Sequence, residues 1–339
     1  MPIHTSSDWV RRRKPLVLLG YGLSACVKPL FAIADSASAV LAARVADRLG
    51  KGIRDAPRDA LVADITPCPI RGSGYGLRHA LYTTGAVAGP LAAMALMTVS
   101  AGDFRLVFWI AVIPAAVSVA ILALGVREGR DDAGERPRRS FRRGDIRSVP
   151  PLLWWTIALE AILTMSRFSP AFLVLRAHSL GIDDALVPIA WVLMHAVYGA
   201  TAYPFGVLSD RVDRRFQLGL GVVCLIGAHV TLAAAGTVEA LTIGIVLWGL
   251  QQGIIQGLLS AMIANAAPDH LRGTAFGLCD LGQGIATFLA SAGAGLLWAL
   301  GGPTASFLAA ALLAAMAGMV LVGLPAAPTR RRDTSAAAR

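Results

Sequence analysis

The sequence predicts an all-α polytopic membrane protein of about ten transmembrane helices, arranged as two related bundles. Three observations carry that prediction. Of 339 residues, 55% are hydrophobic and only 15% charged, where a soluble domain carries roughly 25% charged residues. Apolar runs of about 20 residues, the length that crosses a bilayer, recur along the whole chain. A segment near residue 60 also reappears near residue 261, which predicts an internal repeat.

Taken in order, the predicted spans are 15–33, 37–64, 74–100, 104–125, 151–176, 185–208, 216–235, 239–265, 273–300 and 304–324. The connector 126–150 carries Arg127, Arg130, Arg136, Arg138, Arg139, Arg142, Arg143 and Arg147 among scattered acids and reads as a solvated linker. It divides the chain into a four-span part (1–125) and a six-span part (151–325), with a basic tail at 326–339. Every second connector is basic: Arg11 to Lys14, Arg71, the linker, Arg211 with Arg214 and Arg215, Arg272, and Arg330 to Arg332. The alternate connectors hold Asp35, Asp103 with Arg105, Asp183 with Asp184, Glu239, and Gly301-Gly302. This alternation places both termini in the cytoplasm of a cell (inner or plasma) membrane, with an even number of spans between them.

Composition also excludes function classes. The net charge of +10 arises from short connectors and tails rather than from a groove, so nucleic acid is not an expected partner. Cys26, Cys68, Cys224 and Cys279 are scattered, without the close pairs of metal or redox sites, and no metal, cofactor or disulfide is expected. Residues 1–14 are polar and then basic with no apolar core ahead of the cations, which predicts no signal peptide. Neither Gly-x-Ser-x-Gly, His-Glu-x-x-His nor a phosphate-cradling Gly-x-x-x-x-Gly-Lys-Ser/Thr occurs, so the protein is not expected to be an enzyme.

The repeat is specific. Ala60, Ala63, Pro67, Arg71, Gly72, Gly76 and Leu77 recur as Ala261, Ala264, Pro268, Arg272, Gly273, Gly277 and Leu278, each pair 201 positions apart. Ser7-Asp8 with Val10, Arg12 and Arg13 likewise matches Ser209-Asp210 with Val212, Arg214 and Arg215, 202 positions on. Two matches at nearly one spacing, each between corresponding spans, indicate two homologous halves in parallel orientation. The second half has two spans ahead of its Ser-Asp motif and the first has none, so symmetry leads one to expect roughly 50–60 further residues and two spans in front.

The stretch 44–64 is the most charged of the apolar region. On a helix, Arg44, Arg48, Lys51, Asp55 and Arg58 advance by steps of four and three and form one stripe. Asp47, Arg54 and Asp59 flank it, so these charges fall within an arc of roughly 140°. Ala46, Leu49, Ile53, Ala56 and Ala60 occupy the other side. The stripe is expected to face a central cavity, with Asp47–Lys51 and Asp55–Arg58 pairing along the helix and Gly50, Gly52 and Pro57 loosening it.

Other ionisable groups inside spans are candidates because burying them is costly. Glu160 and Arg167 share a face with Thr156 and Thr164; Glu160 is either a proton carrier or the plain ion-pair partner of Arg167. Asp280, a third of the way into its span, is a second carrier candidate. His79 and His195 read as either proton sites or satisfied packing residues. Trp248, Gln252, Gln256 and Ser260 form a polar stripe, and its last three members lie 201 positions from Lys51, Asp55 and Asp59. The second half thus keeps the polar face and drops the charge. Gly85, Gly89 and Pro90 put small residues at i and i+4 beside a proline, a pattern for close helix packing and a bend.

These motifs resemble the major facilitator superfamily across essentially the whole chain. Gly206-Val-Leu-Ser-Asp210-Arg211-Val-Asp-Arg214-Arg215 is similar to that family's loop between its eighth and ninth spans, and Asp8, Arg12 and Arg13 to the partner loop between spans two and three. Arg44 falls where the family's fourth span carries a buried arginine. Gly85 to Pro90 resembles the fifth-span motif of its antiport-type exporters, with Ala92 and Ala93 replacing the trailing glycines. The resemblance implies spans three to twelve of a twelve-span plan, a gating loop latched through Asp210, and alternating access to a site at the midplane. It further implies a monomer that exports a small-molecule substrate, with protons as the coupling ion. A symport-type importer and a non-transporting structural or remnant membrane protein are the alternatives.

Overall fold

The structure, a computed structural model, describes residues 13–126, 150–182 and 188–322. Within them the chain is helical, in the order α1 (Arg13–Ile33), α2 (Ala37–Ile65), α3 (Arg71–Val99), α4 (Phe104–Gly125), α5 (Pro151–Ser166), α6 (Ala171–Ser179), α7 (Pro188–Ser209), α8 (Arg214–Ala234), α9 (Val238–Ala266) and α10 (Arg272–Val322). Seven helical stretches are long and apolar enough to cross a membrane. The 29-residue α2 is long enough too, but its charges lower its mean hydropathy.

Local chemistry sets the boundaries. Ser36 starts α2 by accepting the amide of Ala39 at 3.2 Å, and Pro67 follows its end. Asp103 caps α4, accepting from Arg105 and Leu106 at 2.9 and 3.1 Å. Asp213 caps α8 and Thr237 caps α9 in the same way. In the turn before Asp103, Ala101 and Gly102 take φ of 53° and 91°.

Two boundaries differ from the simple span pattern. The run expected as one span over 151–176 is two helices, α5 and α6, broken at 167–170. Pro170 has no N–H to give and holds Ser169 out of the helical region; the freed Ser169 amide donates instead to Ser291 Oγ at 3.2 Å. The last two spans form one continuous run, kinked at Gly302 with φ 69° and ψ −170°, a conformation that only glycine adopts at little cost.

Helix α1 packs along α2 and α4, while α3 leaves them and lies chiefly against α7 and α9. In the second part, α10 packs on α5 and α8, and α9 on α7 and α8. That half is cored by two apolar clusters, one around Leu159, Leu225 and Ile255, the other around an aromatic group of Phe168, Trp248, His229 and Phe307. A third cluster joins the halves: Ala56, Ala60 and Ala63 of α2 and Tyr75 of α3 pack with Ala261 and Ala264 of α9 and Phe276 and Cys279 of α10. Small residues there let four helices from both halves approach closely. By contrast α4 buries no residue.

Candidate functional site

At the end carrying the basic loops, the two halves are tied by three polar devices. Asp210, after α7, reaches across to the first turn of α3, where its carboxylate accepts from the amides of Gly72 and Ser73, both at 2.8 Å, and from Ser73 Oγ at 2.5 Å. An anion here satisfies the orphan donors of a helix N-terminus and sits at the positive end of its dipole. The approach requires glycine. A Cβ on Gly76 would lie 2.6 Å from the Ala202 carbonyl oxygen, and one on Gly206 would lie 2.5 Å from the Gly72 carbonyl oxygen.

The second and third devices use the repeat crosswise. Buried Arg71 donates to the Asn265 amide oxygen at 2.7 Å and to the carbonyls of Ala264 and Ala63, both at 3.1 Å. Its repeat partner Arg272 pairs with Asp64 at 2.9 Å, and Asp64 is the repeat partner of Asn265. Each half's arginine thus grips the end of the other half's preceding helix. Asp64 also takes Arg13 of α1 at 2.5 Å.

Further along the same helices a charge network joins both halves. Asp55 forms an ion pair with Arg58 at 3.1 Å and faces Arg54 at 3.8 Å. Asp59, largely buried, accepts from Arg58 and forms an ion pair with Arg78 of α3, each at 3.1 Å. Arg78 also donates to His79 Nε2 at 3.0 Å, while His79 Nδ1 lies 2.7 Å from the Tyr198 hydroxyl of α7. In the second half, Glu160 is 3% exposed. One of its oxygens takes Gln283 Nε2 at 2.7 Å, and the Cys279 thiol of α10 lies beside the carboxyl. Asp280 lies within Coulombic range of Asp55, Asp59, Arg58 and Glu160. Arg167 ends α5, contacts Thr164 Oγ1 at 3.4 Å, and holds the amide oxygen of Gln256 through both terminal nitrogens. Arg54, Arg58 and Arg78 thus pair with Asp55 and Asp59, and Glu160, Asp280 and Arg167 lie within Coulombic range of this group; Asp59 and Glu160 are buried and the others half-buried. Removing one partner there strands a charge.

The stripe on α2 does not face inward along its whole length. Asp55 and Arg58 enter the network, paired as the sequence suggests, but Arg44 and Arg48 are exposed and Lys51 is half-buried. Asp47 faces Lys28 of α1 at 3.9 Å rather than Lys51. The cause is the neighbouring helix: α1 crosses α2 at Gly20 and Gly50, where a Cβ on Gly50 would lie 2.9 Å from the Gly20 carbonyl oxygen, and this crossing turns Asp47 toward Lys28.

Glu160 hydrogen-bonds Gln283, while Arg167, past the break after Ser166, turns to Gln256 and stays within Coulombic range of Glu160. Gln252 and Ser260 do sit at the inter-helix face, against Met194 and His79, whereas Trp248 is buried among Phe168 and His229 in the second half's own core. Among the described residues Gly85 and Gly89 do not pack a helix: a Cβ at either would meet nothing within 4 Å, and the close contact of α3 is made at Gly72 and Gly76 instead. Pro90 lies inside α3 near that open stretch. Arg211 and Arg215 are exposed and Arg214 half-buried around the Asp210 loop. Asp8 and Arg12 lie outside the described residues, while Arg13 is described and tied to Asp64.

Sequence reasoning passed over Arg78, Tyr198, Gln283, and the partners of Asp64 and Arg71. The adjacent Arg78-His79 inside an apolar span was the available signal for the first, since two such groups are rarely buried without partners. The Asp64/Asn265 and Arg71/Arg272 matches were visible as repeats. Their crosswise pairing was not.

A helical membrane protein of two pseudo-symmetric halves, latched at one end and carrying ion pairs on the dividing surface, defines the class of membrane transporters that work between two bundles. The comparisons with known proteins agree. The family model for the Major Facilitator Superfamily matches residues 5–194 and 160–339. The chain is 30% identical over 322 residues to an uncharacterized MFS-type transporter of Methanocaldococcus jannaschii, covering 93% of this chain and 79% of that protein. It is 27% identical over 334 residues to the multidrug efflux pump Tap of Mycobacterium tuberculosis, covering 92% of this chain and 74% of the pump. Its structure is similar to that of the Escherichia coli fucose:proton symporter FucP, with a TM-score of 0.75 at 14% identity, covering 96% of this chain and 88% of the symporter. The chain belongs to the major facilitator superfamily and is a multi-pass membrane protein.

Proposed function

We propose that this protein is a secondary transporter that exports a small organic molecule in exchange for protons, by alternating access, as a monomer in the cell membrane with both termini in the cytoplasm. One observation carries the reading: Glu160 and Asp280 are drawn into a charge network built from both halves, where gain or loss of a proton changes the balance of four cations against four carboxyls. Protonating either carboxyl leaves a guanidinium in excess, which favours rearrangement of the surface between the halves. Gln252, Gln256 and Arg167 supply donors and acceptors for a substrate at that surface. The latch formed by Asp210, Arg71 and Arg272 belongs to the state closed at the basic, cytoplasmic end. Support for export comes from the efflux pump among the relatives and from the Gly85–Pro90 motif.

The test is flux in proteoliposomes holding the full chain. Vesicles carrying an internal pH dye are given an imposed pH gradient with ethidium as a cationic probe and carboxyfluorescein as an anionic one. Exchange predicts probe movement against proton movement. Co-movement of probe and protons means symport, and no response to the gradient in either direction sinks proton coupling. Glu160→Gln retains a hydrogen-bonding partner for Gln283 but cannot carry a proton. It is expected to abolish gradient-driven flux while preserving probe exchange down its own gradient.

A further inference from the structure

His79 is the joint at which the charge network of the first half meets the second, and its hydrogen bonds fix its protonation state. The Arg78 guanidinium has donors only, so His79 Nε2, 3.0 Å from Arg78 Nη1, accepts. The ring is then neutral with its proton on Nδ1, and that N–H donates to the Tyr198 oxygen 2.7 Å away on α7. Ser260 Oγ of α9 stands 3.5 Å from Nε2 on the other side. The charged and titratable groups facing this ring come from three helices: Arg78 beside it on α3, Tyr198 on α7, and Arg58 on α2, acting through space. Asp59 of α2 reaches it through Arg78, which it holds at 3.1 Å.

We infer that His79 is a positioning residue of the transport cycle. While neutral it keeps Arg78 on Asp59, and on taking a proton at Nε2 it expels Arg78 and adds an Nε2 donor toward Ser260 to the Nδ1 donor that already faces Tyr198 of the second half. This rests on the transporter reading and adds a second proton-linked group to it. The step is a simple transfer: a proton from water binds the Nε2 lone pair, the Nδ1–H is unchanged, and the guanidinium N–H that occupied that lone pair is released. Two cations cannot share the contact, so the move is obligatory rather than graded. Its consequence is an exchange of partners at the dividing surface: the Arg78 contact is released, and a second tie between halves, His79 to Ser260, joins the one already made to Tyr198.

The experiment is solid-state NMR of the full chain in bilayers with 15N-labelled histidine and arginine, followed as pH is lowered from about 8 to about 4. The His79 signal is identified by its loss in His79→Gln or by its contact to 13C-labelled tyrosine at Tyr198, which serves if that variant does not fold. The expected result is an Nδ1–H ring at high pH, and an Arg78 side-chain signal that shifts with the same midpoint as His79. That shift is expected to vanish in His79→Gln, which keeps a donor and an acceptor but does not titrate. An Nε2–H ring, a ring that stays neutral throughout, or an Arg78 signal that ignores His79 overturns the inference. No transported compound is needed, so a negative flux assay would count against the transporter reading and leave this measurement to be judged by itself.

Discussion

Replacing Asp210 by Asn tests whether the latch holds the closed state. The wild-type carboxylate accepts three hydrogen bonds from the start of α3. Asn keeps one oxygen and points an N–H₂ at a second donor, so at least one bond is lost along with the charge facing the helix dipole. Hydrogen bonds to charged groups are worth about 1.5–3 kcal/mol and the dipole interaction about 0.3–1 kcal/mol. Since Asp210 is only part-buried, the lower ends apply, and the closed state should lose about 2 kcal/mol, roughly a 30-fold shift in the balance of states. The assay is electron–electron distance measurement between spin labels at Ile70 and Phe216, both exposed and on opposite halves, in a background with the four cysteines replaced. Asp210→Asn should enrich the longer distance. Ser73→Ala should do so less, and the double variant should fall short of the sum, because Ser73 and Asp210 share a bond. An unchanged distance distribution in Asp210→Asn, or strictly additive effects, would refute the latch.

Four further outcomes follow from the same surfaces. Gly206→Ala places a Cβ 2.5 Å from a backbone oxygen and should cost the closed state about 1–3 kcal/mol in the same distance assay. Gly85→Ala and Gly89→Ala, beside open space, should be neutral or stabilise α3 by up to about 1 kcal/mol in thermal unfolding. Asn265→Asp turns the Arg71 contact into an ion pair matching Arg272 with Asp64; the label pair should shift toward the short distance, and the effect should vanish in Arg71→Gln. Arg71→Gln alone should weaken closure, because the carbonyls of Ala63 and Ala264 lose a shared donor.

The sequence alone determined the class and the repeat, and the spans except where 151–176 breaks at Pro170 and the last two run on through Gly302. Low charge and apolar runs admit few solutions other than membrane-crossing helices, since every backbone group in lipid must be bonded within its own segment. The alternation of basic loops and the recurrence of residues 60–77 at 261–278 are properties of the string itself. Asp55 with Arg58 was also legible, because residues three apart on a helix are neighbours on its surface. What the string does not contain is which helix lies beside which. Asp47 reaches Lys28, Glu160 reaches Gln283, and Arg71 crosses to Asn265, all through contacts between segments distant in the chain. A helical wheel gives one face per residue, but the direction of the core changes along α2 as its neighbour changes from α1 to α10. So Arg44 and Arg48 are exposed while Asp59, on the edge of the same stripe, is buried. The glycines make the same point. Gly85 and Gly89 have the spacing of a packing motif, yet only tertiary structure decides which glycines meet a backbone, and on α3 these are Gly72 and Gly76.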